Sequence, residues 1–234
     1  VLTHAHSSKA GALVRLLPRA LTGPQVYSPH ALWTMNPDLP RVARAAIGAV
    51  EWGLAYCGDQ VVACSQAEGR HARALGIPAH RVTVVPNGWD PTAPAADRAA
   101  IRAQWTARLN VASDAIADAM GGTTAQRPTY WIGVVGRDAP QKDLDRAAAV
   151  VAPFIVSRPN VRCCLWTDHV PAAWAQLQAH YPGQVRCATG EVAAESLPGL
   201  DLLLNTSRYE GLPYLFLEAG RAKVPILTTP VGGT

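Results

Sequence analysis

The chain predicts an α/β fold built on parallel sheets, laid down in two successive runs. Three observations carry this. Apolar runs such as Leu202-Leu203-Leu204 lack the in–out alternation of a half-exposed strand and suit strands covered on both faces. Stretches of helical spacing follow such runs at short intervals. Between 91 and 127 the character changes. Asp90-Pro91-Thr92-Ala93-Pro94 reads as linker, Ala95–Leu109 and Ser113–Met120 as alanine-rich helical stretches, and Gly121-Gly122-Thr123-Thr124 closes the region. The expected layout is a first domain over 1–90, a linker and helical segment over 91–127, and a second domain over 128–234.

In order, Val1 to Ser8 reads as a strand end entering a helix from about Lys9 to Ala20, capped by Ser7 or Ser8. Gln25-Val26-Tyr27 is a short strand stopped by Ser28-Pro29-His30. A long helix is expected from Pro40 to Tyr56, ended by Gly58-Asp59. Strand Gln60–Ser65, helix Glu68–Leu75 and strand Arg81–Val85 follow, the last running into the turn Pro86-Asn87-Gly88. The second run has strand Tyr130–Val135, a helix from about Lys142 to Val156, and strand Val161–Trp166. Helix Pro171–Tyr181, strand Gln184–Cys187 and strand Leu200–Thr206 complete it.

Hydrophobic residues make up 49% of the 234 positions and charged residues 16%, so a sizeable core is available and disorder is excluded as the main state. A net charge of +4 tolerates phosphates or an anionic surface. No basic run is interleaved with aromatics, which argues against a nucleic-acid partner. The five cysteines form no paired metal-binding pattern and read as reduced core thiols of a cytoplasmic protein. The apolar run Ala147–Val156, interrupted by Pro153, is too short to span a bilayer, and no signal peptide is visible. The first residue is Val1, not methionine, which suggests that an upstream part is absent.

The richest stretch is Ser207-Arg208-Tyr209-Glu210-Gly211-Leu212-Pro213-Tyr214-Leu215-Phe216-Leu217-Glu218-Ala219-Gly220. Gly211 turns the chain, Pro213 suits the first position of a helix, and the helix is apolar almost all round, so burial is expected. Glu218 interrupts it. A carboxylate there needs donors, and Arg221 one turn on could supply them. Glu210 stands at the carboxyl end of a strand and just before a helix N-terminus, where open α/β sheets bind ligands and free N–H groups suit an anion. Glu218 lies roughly 8 Å further along the helix axis. Two acceptors on either side of an anion site fit a nucleotide-sugar, with hydroxyls on both sides of a diphosphate.

Glu210-x7-Glu218 after an apolar strand, with Gly211 next and Val224-Pro225-Ile226-Leu227-Thr228-Thr229-Pro230-Val231-Gly232-Gly233 following, resembles the donor-site signature of the retaining glycosyltransferases of group 1 (family 4). His4 to Gly11 and Val84 to Asp90 resemble the later part of that family's N-terminal domain. The resemblance implies the GT-B fold of two Rossmann-like parallel-sheet domains. The family's first strand and glycine-rich loop, and its final helix, find no counterpart here, so the chain is expected to be a fragment with an incomplete N-terminal domain and a C-terminal domain missing its end.

By the same resemblance, Glu210 positions the sugar hydroxyls, Glu218 the ribose, and Arg137 and Lys142 the diphosphate, with donor contacts at Gly211 and Leu212. His30 resembles the histidine that faces the donor sugar, with His6 a second candidate, although a histidine at a strand end is more often structural. No metal and no other cofactor are expected. Asp143-Leu144-Asp145 falls in the first turn of a helix, where acidic residues suit the dipole. Two departures stand out. Pro213, without an N–H, replaces a common glycine, and so does Asp143 after Lys142.

The expected partner is a nucleotide-diphosphate-sugar donor. The acceptor, whether glycan, lipid or small molecule, is left open. Lys9, Arg15 and Arg19 could face a membrane lipid at a peripheral contact, or simply solvent. A nucleotide-sugar epimerase on the same fold and an inactive nucleotide-binding fragment are the rival functions.

Overall fold

The computed structural model describes residues 1–89, 97–109 and 128–232. The expected helix Ser113–Met120 and the linker-like Asp90–Pro94 lie outside them. Of the described residues, those in Val1–Trp89, Arg208–Tyr214 and Pro230–Thr234 form one unit, and those in Asp90–Ser207 and Leu215–Thr229 the other.

The first unit holds a four-stranded sheet in the order β1-β2-β3-β4, every pairing parallel. Its strands are β1 (Thr3–His6), β2 (Gln25–Ser28), β3 (Gln60–Ala63) and β4 (Val82–Val84). Helices α1 (Ser8–Leu16), α2 (Arg19–Thr22), α3 (Arg41–Cys57) and α4 (Gln66–Ala74) make the crossovers. Its core packs Tyr27, Leu32, Ala55, Val61, Ala72 and Ile77 together.

The helix expected over Lys9–Ala20 is two helices. Pro18 cannot donate to the ladder and pushes Leu17 to an extended conformation (φ −82°, ψ 146°), which ends α1. Ser7 makes no side-chain cap, because its own backbone is left-handed at φ 74°. Arg15 does not face outward. It is buried and pairs with Glu51 at 2.8 Å, with its guanidinium over the Tyr27 ring. Arg19 pairs with Asp59, and Lys9 remains exposed.

The second unit holds a five-stranded parallel sheet in the order β7-β6-β5-β8-β9. Its strands are β5 (Tyr130–Val135), β6 (Val161–Thr167), β7 (Val185–Thr189), β8 (Leu202–Asn205) and β9 (Ile226–Thr228). Helices α5 (Arg98–Arg108), α6 (Leu144–Ser157), α7 (Ala172–His180), α8 (Ala193–Ser196) and α9 (Tyr214–Arg221) belong with it. All seven residues of β6 are buried, as a strand covered on both faces requires. On α6, Leu144, Ala147, Ala148, Val151 and Ile155 recur at helical spacing and form the buried stripe. Gly133 sits where a Cβ would meet Leu200 at 2.3 Å, so only glycine lets the loop before β8 close on β5.

Helix α8 had no counterpart in the sequence reading. Helix α9 starts at Tyr214 instead of Pro213, and the burial expected for it is partial: only Ala219 is fully buried and Tyr214 is exposed. The five cysteines are free thiols, but Cys57 is exposed, so not all of them are core. Among the described residues no helix is long and apolar enough to cross a membrane.

Candidate functional site

In the second sheet the strand order runs outward from β5 through β6 to β7 on one side and from β8 to β9 on the other. Neighbouring connections therefore diverge between β5 and β8, which opens a crevice beyond their carboxyl ends. Val134 pairs with Leu204, so the two strands end level. The segments leaving them are Gly136–Asp143 and Thr206–Ser207. Thr206 ties them together: its hydroxyl lies 3.1 Å from the carbonyl oxygen of Lys142 and 2.9 Å from that of Asp143. Ser207 donates to Asn205 Oδ1, and Asn205 donates to Thr228, so the floor of the crevice is a buried polar ladder.

Arg137 and Lys142 both lie on the first segment. Arg137 is exposed, and among the described residues its guanidinium makes no hydrogen bond or ion pair. The Asp138 N–H donates to Asp168 at 2.7 Å, which fixes the turn beside Arg137 and holds the Asp168 carboxyl below its ordinary range. The Lys142 stem folds across Gly136, where a Cβ would be 3.0 Å from Lys142 Cγ. Helix α6 begins at Leu144, two residues later than expected. Asp143 before it takes the left-handed conformation (φ 48°), the backbone that a glycine would adopt without cost. Asp143 also pairs with Arg146 at 3.2 Å, and among the described residues no group of three His, Cys, Asp or Glu could hold a metal. Glu218 on α9 is half-buried, and among the described residues its carboxylate accepts no hydrogen bond or ion pair, so its pairing with Arg221 is not made.

The first unit carries the other candidates at the carboxyl edge of its own sheet. His30 follows β2, and both it (φ 54°) and Ala31 (φ 83°) are left-handed although neither is glycine. Each such residue costs about 1–2 kcal/mol. His6, at the end of β1, stands 2.8 Å from His30, Nδ1 to Nε2, so the two alternative histidines form one pair. His4 lies against His6 with ring centroids 4.2 Å apart and the planes tilted by 34°, and bonds to Ser28.

Glu210 is buried, with Gly232 packed behind it: a Cβ on Gly232 would lie 2.9 Å from the Glu210 carbonyl oxygen. Gly211 fits against Cys64, His30 and Ala31, where a Cβ would be 2.7 Å from the Cys64 sulfur. Asn87, left without a contact in the sequence reading, donates to the Leu212 carbonyl at 2.7 Å. Burial, and then the Glu68 carboxylate, push the Cys64 thiol up to about 12, so it is no nucleophile.

Sequence reasoning missed Glu68. It is fully buried at the start of α4 and accepts from the Cys64 N–H at 2.7 Å and from the Ala31 N–H at 2.6 Å. The signal was present in Ser65-x-x-Glu68, a capping box, and Ser65 does accept from the Glu68 N–H.

The histidines give a pH dependence. Burial is the main cause holding His4, His30 and His71 below the ordinary imidazole value, joined by repulsion from other histidines and, for His71, from Arg44. A depressed value means that folding favours the neutral ring. The stability this gives is complete above about pH 6.5 and is lost as pH falls through the lowered values. The thermal midpoint should therefore drop between pH 7.5 and 5.5, and a flat profile would contradict the assignment.

Residues 1–93 match the family described as Glycosyltransferase Family 4, and residues 129–234 match Glycosyl transferases group 1. No curated protein sequence matches the chain. Among solved structures, the Anabaena protein HepE in complex with UDP shares 19% identity at a TM-score of 0.70, over 99% of this chain and 60% of that one. Sucrose-phosphate synthase from Thermosynechococcus elongatus shares 18% at 0.74, over 99% and 56%. An α,α-trehalose-phosphate synthase (UDP-forming) from Burkholderia vietnamiensis shares 14% at 0.66, over 99% and 57%. The chain thus spans about three fifths of the length of these structures, and its fold is theirs: two parallel α/β sheets in the GT-B arrangement.

Proposed function

We propose that this chain, which belongs to the group 1 glycosyltransferases, moves a sugar from a nucleotide-diphosphate donor to an acceptor hydroxyl with retention at the anomeric carbon. The observation that carries the reading is the crevice between β5 and β8 of the second sheet, with Arg137 and Lys142 on the segment that leaves β5.

In this reading Arg137 and Lys142 receive the diphosphate. Arg137 offers a fork of donors and Lys142 a point charge, and both oppose the negative charge that builds on the leaving group. No metal is needed for that neutralisation. The N–H groups of Gly211 and Leu212 face the donor, since Pro213 has none to give. Glu218 accepts from the ribose hydroxyls and Glu210 from hydroxyls of the sugar, and His30 is the histidine assigned to the sugar. The bond from the anomeric carbon to the diphosphate oxygen breaks as the acceptor oxygen arrives on the same face. The acceptor proton passes to the leaving phosphate. A uridine diphosphate sugar is the first donor to try, because HepE structures hold UDP and UDP-glucose. We place the enzyme in the cytoplasm. With Arg15 buried, contact with a membrane acceptor would fall to Lys9 and neighbouring apolar side chains.

A panel of nucleotide-sugars screened by thermal stabilisation of the full-length protein, followed by transfer with the donor that binds, tests this. One nucleoside diphosphate should raise the midpoint, and proton NMR of the product should show the donor's anomeric configuration. Stabilisation by none of them removes the donor reading, and an inverted product removes retention.

A further inference from the structure

Glu68 makes more bonds than a helix cap needs. One oxygen completes the turn from β3 into α4 by accepting from the Cys64 N–H. The other reaches 37 positions back along the chain to the Ala31 N–H at 2.6 Å. His30 and Ala31 are the two consecutive left-handed residues of the loop after β2; histidine visits that backbone more often than most residues, but nothing in the Ala31 side chain favours it. On its other side the loop meets Gly211, where an added Cβ would lie 2.8 Å from Ala31 N.

We propose that Glu68 is a positioning residue for His30: its buried carboxylate holds the strained His30-Ala31 peptide in place and so aims the imidazole. The inference rests on the reading that His30 faces the donor sugar. The Ser65 hydroxyl does the ordinary capping work through the Glu68 N–H, so the cap and the brace are separable in the same turn.

Glu68→Gln keeps the shape but turns an NH2 toward one of the two N–H groups, so one of them loses its acceptor. The ring resonances of His30 should shift, and kcat should fall about 10-fold or more with the donor KM within about twofold. Ala31→Gly added to that variant should restore much of kcat, because glycine takes the left-handed backbone freely. Ser65→Ala should lower the thermal midpoint while leaving the His30 ring where it was.

An E68Q variant that loses stability while ring and kcat hold still would overturn the proposal. So would absence of rescue by A31G, or an S65A variant that moves His30 as far. Should E68Q fail to fold, amide exchange in the unaltered protein decides: the Ala31 N–H must be protected, and exchange at loop rates refutes the brace. A ring that moves while transfer does not counts against His30 at the sugar and leaves the brace standing.

Discussion

Glu210→Ala is expected to lower sugar transfer on the order of 10³-fold, the size seen when one group stabilising developing charge is removed from a closed site. The residue is buried, its backbone is backed by Gly232, and the peptide after it is seated on Cys64 and Ala31. Glu210→Gln keeps one acceptor and loses the charge, so its loss should be smaller. The loss should fall mainly on kcat, with donor binding, which the proposal assigns to Arg137 and Lys142, largely kept. Kinetics of both variants beside a thermal melt check this, and wild-type turnover in Glu210→Ala would remove the residue from the mechanism.

The second large effect concerns stability. Arg15 and Glu51 are 3% and 5% exposed, so removing one partner strands the other charge away from water. Glu51→Ala should cost about 3–5 kcal/mol, against a total of about 5–15 for an ordinary domain. The surroundings deepen the loss. Arg15 also donates to the Gly11 carbonyl, its guanidinium lies 4.0 Å from the Tyr27 ring centroid, and Tyr27 donates to Glu51. Urea unfolding should show the shift. Arg15→Met combined with Glu51→Leu should cost much less, because an apolar pair of similar volume carries no desolvation penalty. A Glu51→Ala change under about 1 kcal/mol would mean that water reaches the pair.

These cases also mark how far the sequence could be read. Strands were legible because a parallel sheet buries both faces of a strand, so apolar runs alone mark it: β5 is found at its expected bounds and β8 lies within Leu200–Thr206. The backbone at Asp143 was not read: Asp143 was placed in the first turn of a helix, and it stands left-handed just before that helix. The split of the first helix could have been read from Pro18 and was not. Arg15 was another matter. Its spacing suits a solvated face as well as a buried one, and only Glu51, 36 residues away, decides between them. Likewise His30 and His6 competed as alternatives, because linear spacing does not reveal that β1 and β2 lie side by side. Glu68 shows the same limit: the capping box announces its role within α4 but not its bond to Ala31.

The segment Arg208–Tyr214 packs with residues 1–89, although the strand before it and most of the helix after it lie with the other unit. Recombination between two relatives at the natural seam near residue 128 would therefore transplant this piece into a foreign socket. Any incoming sequence must offer a residue without a side chain opposite the Cys64 sulfur, and a carbonyl for Asn87 to grip. Descent by swapping whole halves is thereby restricted to pairs already matched at one small patch.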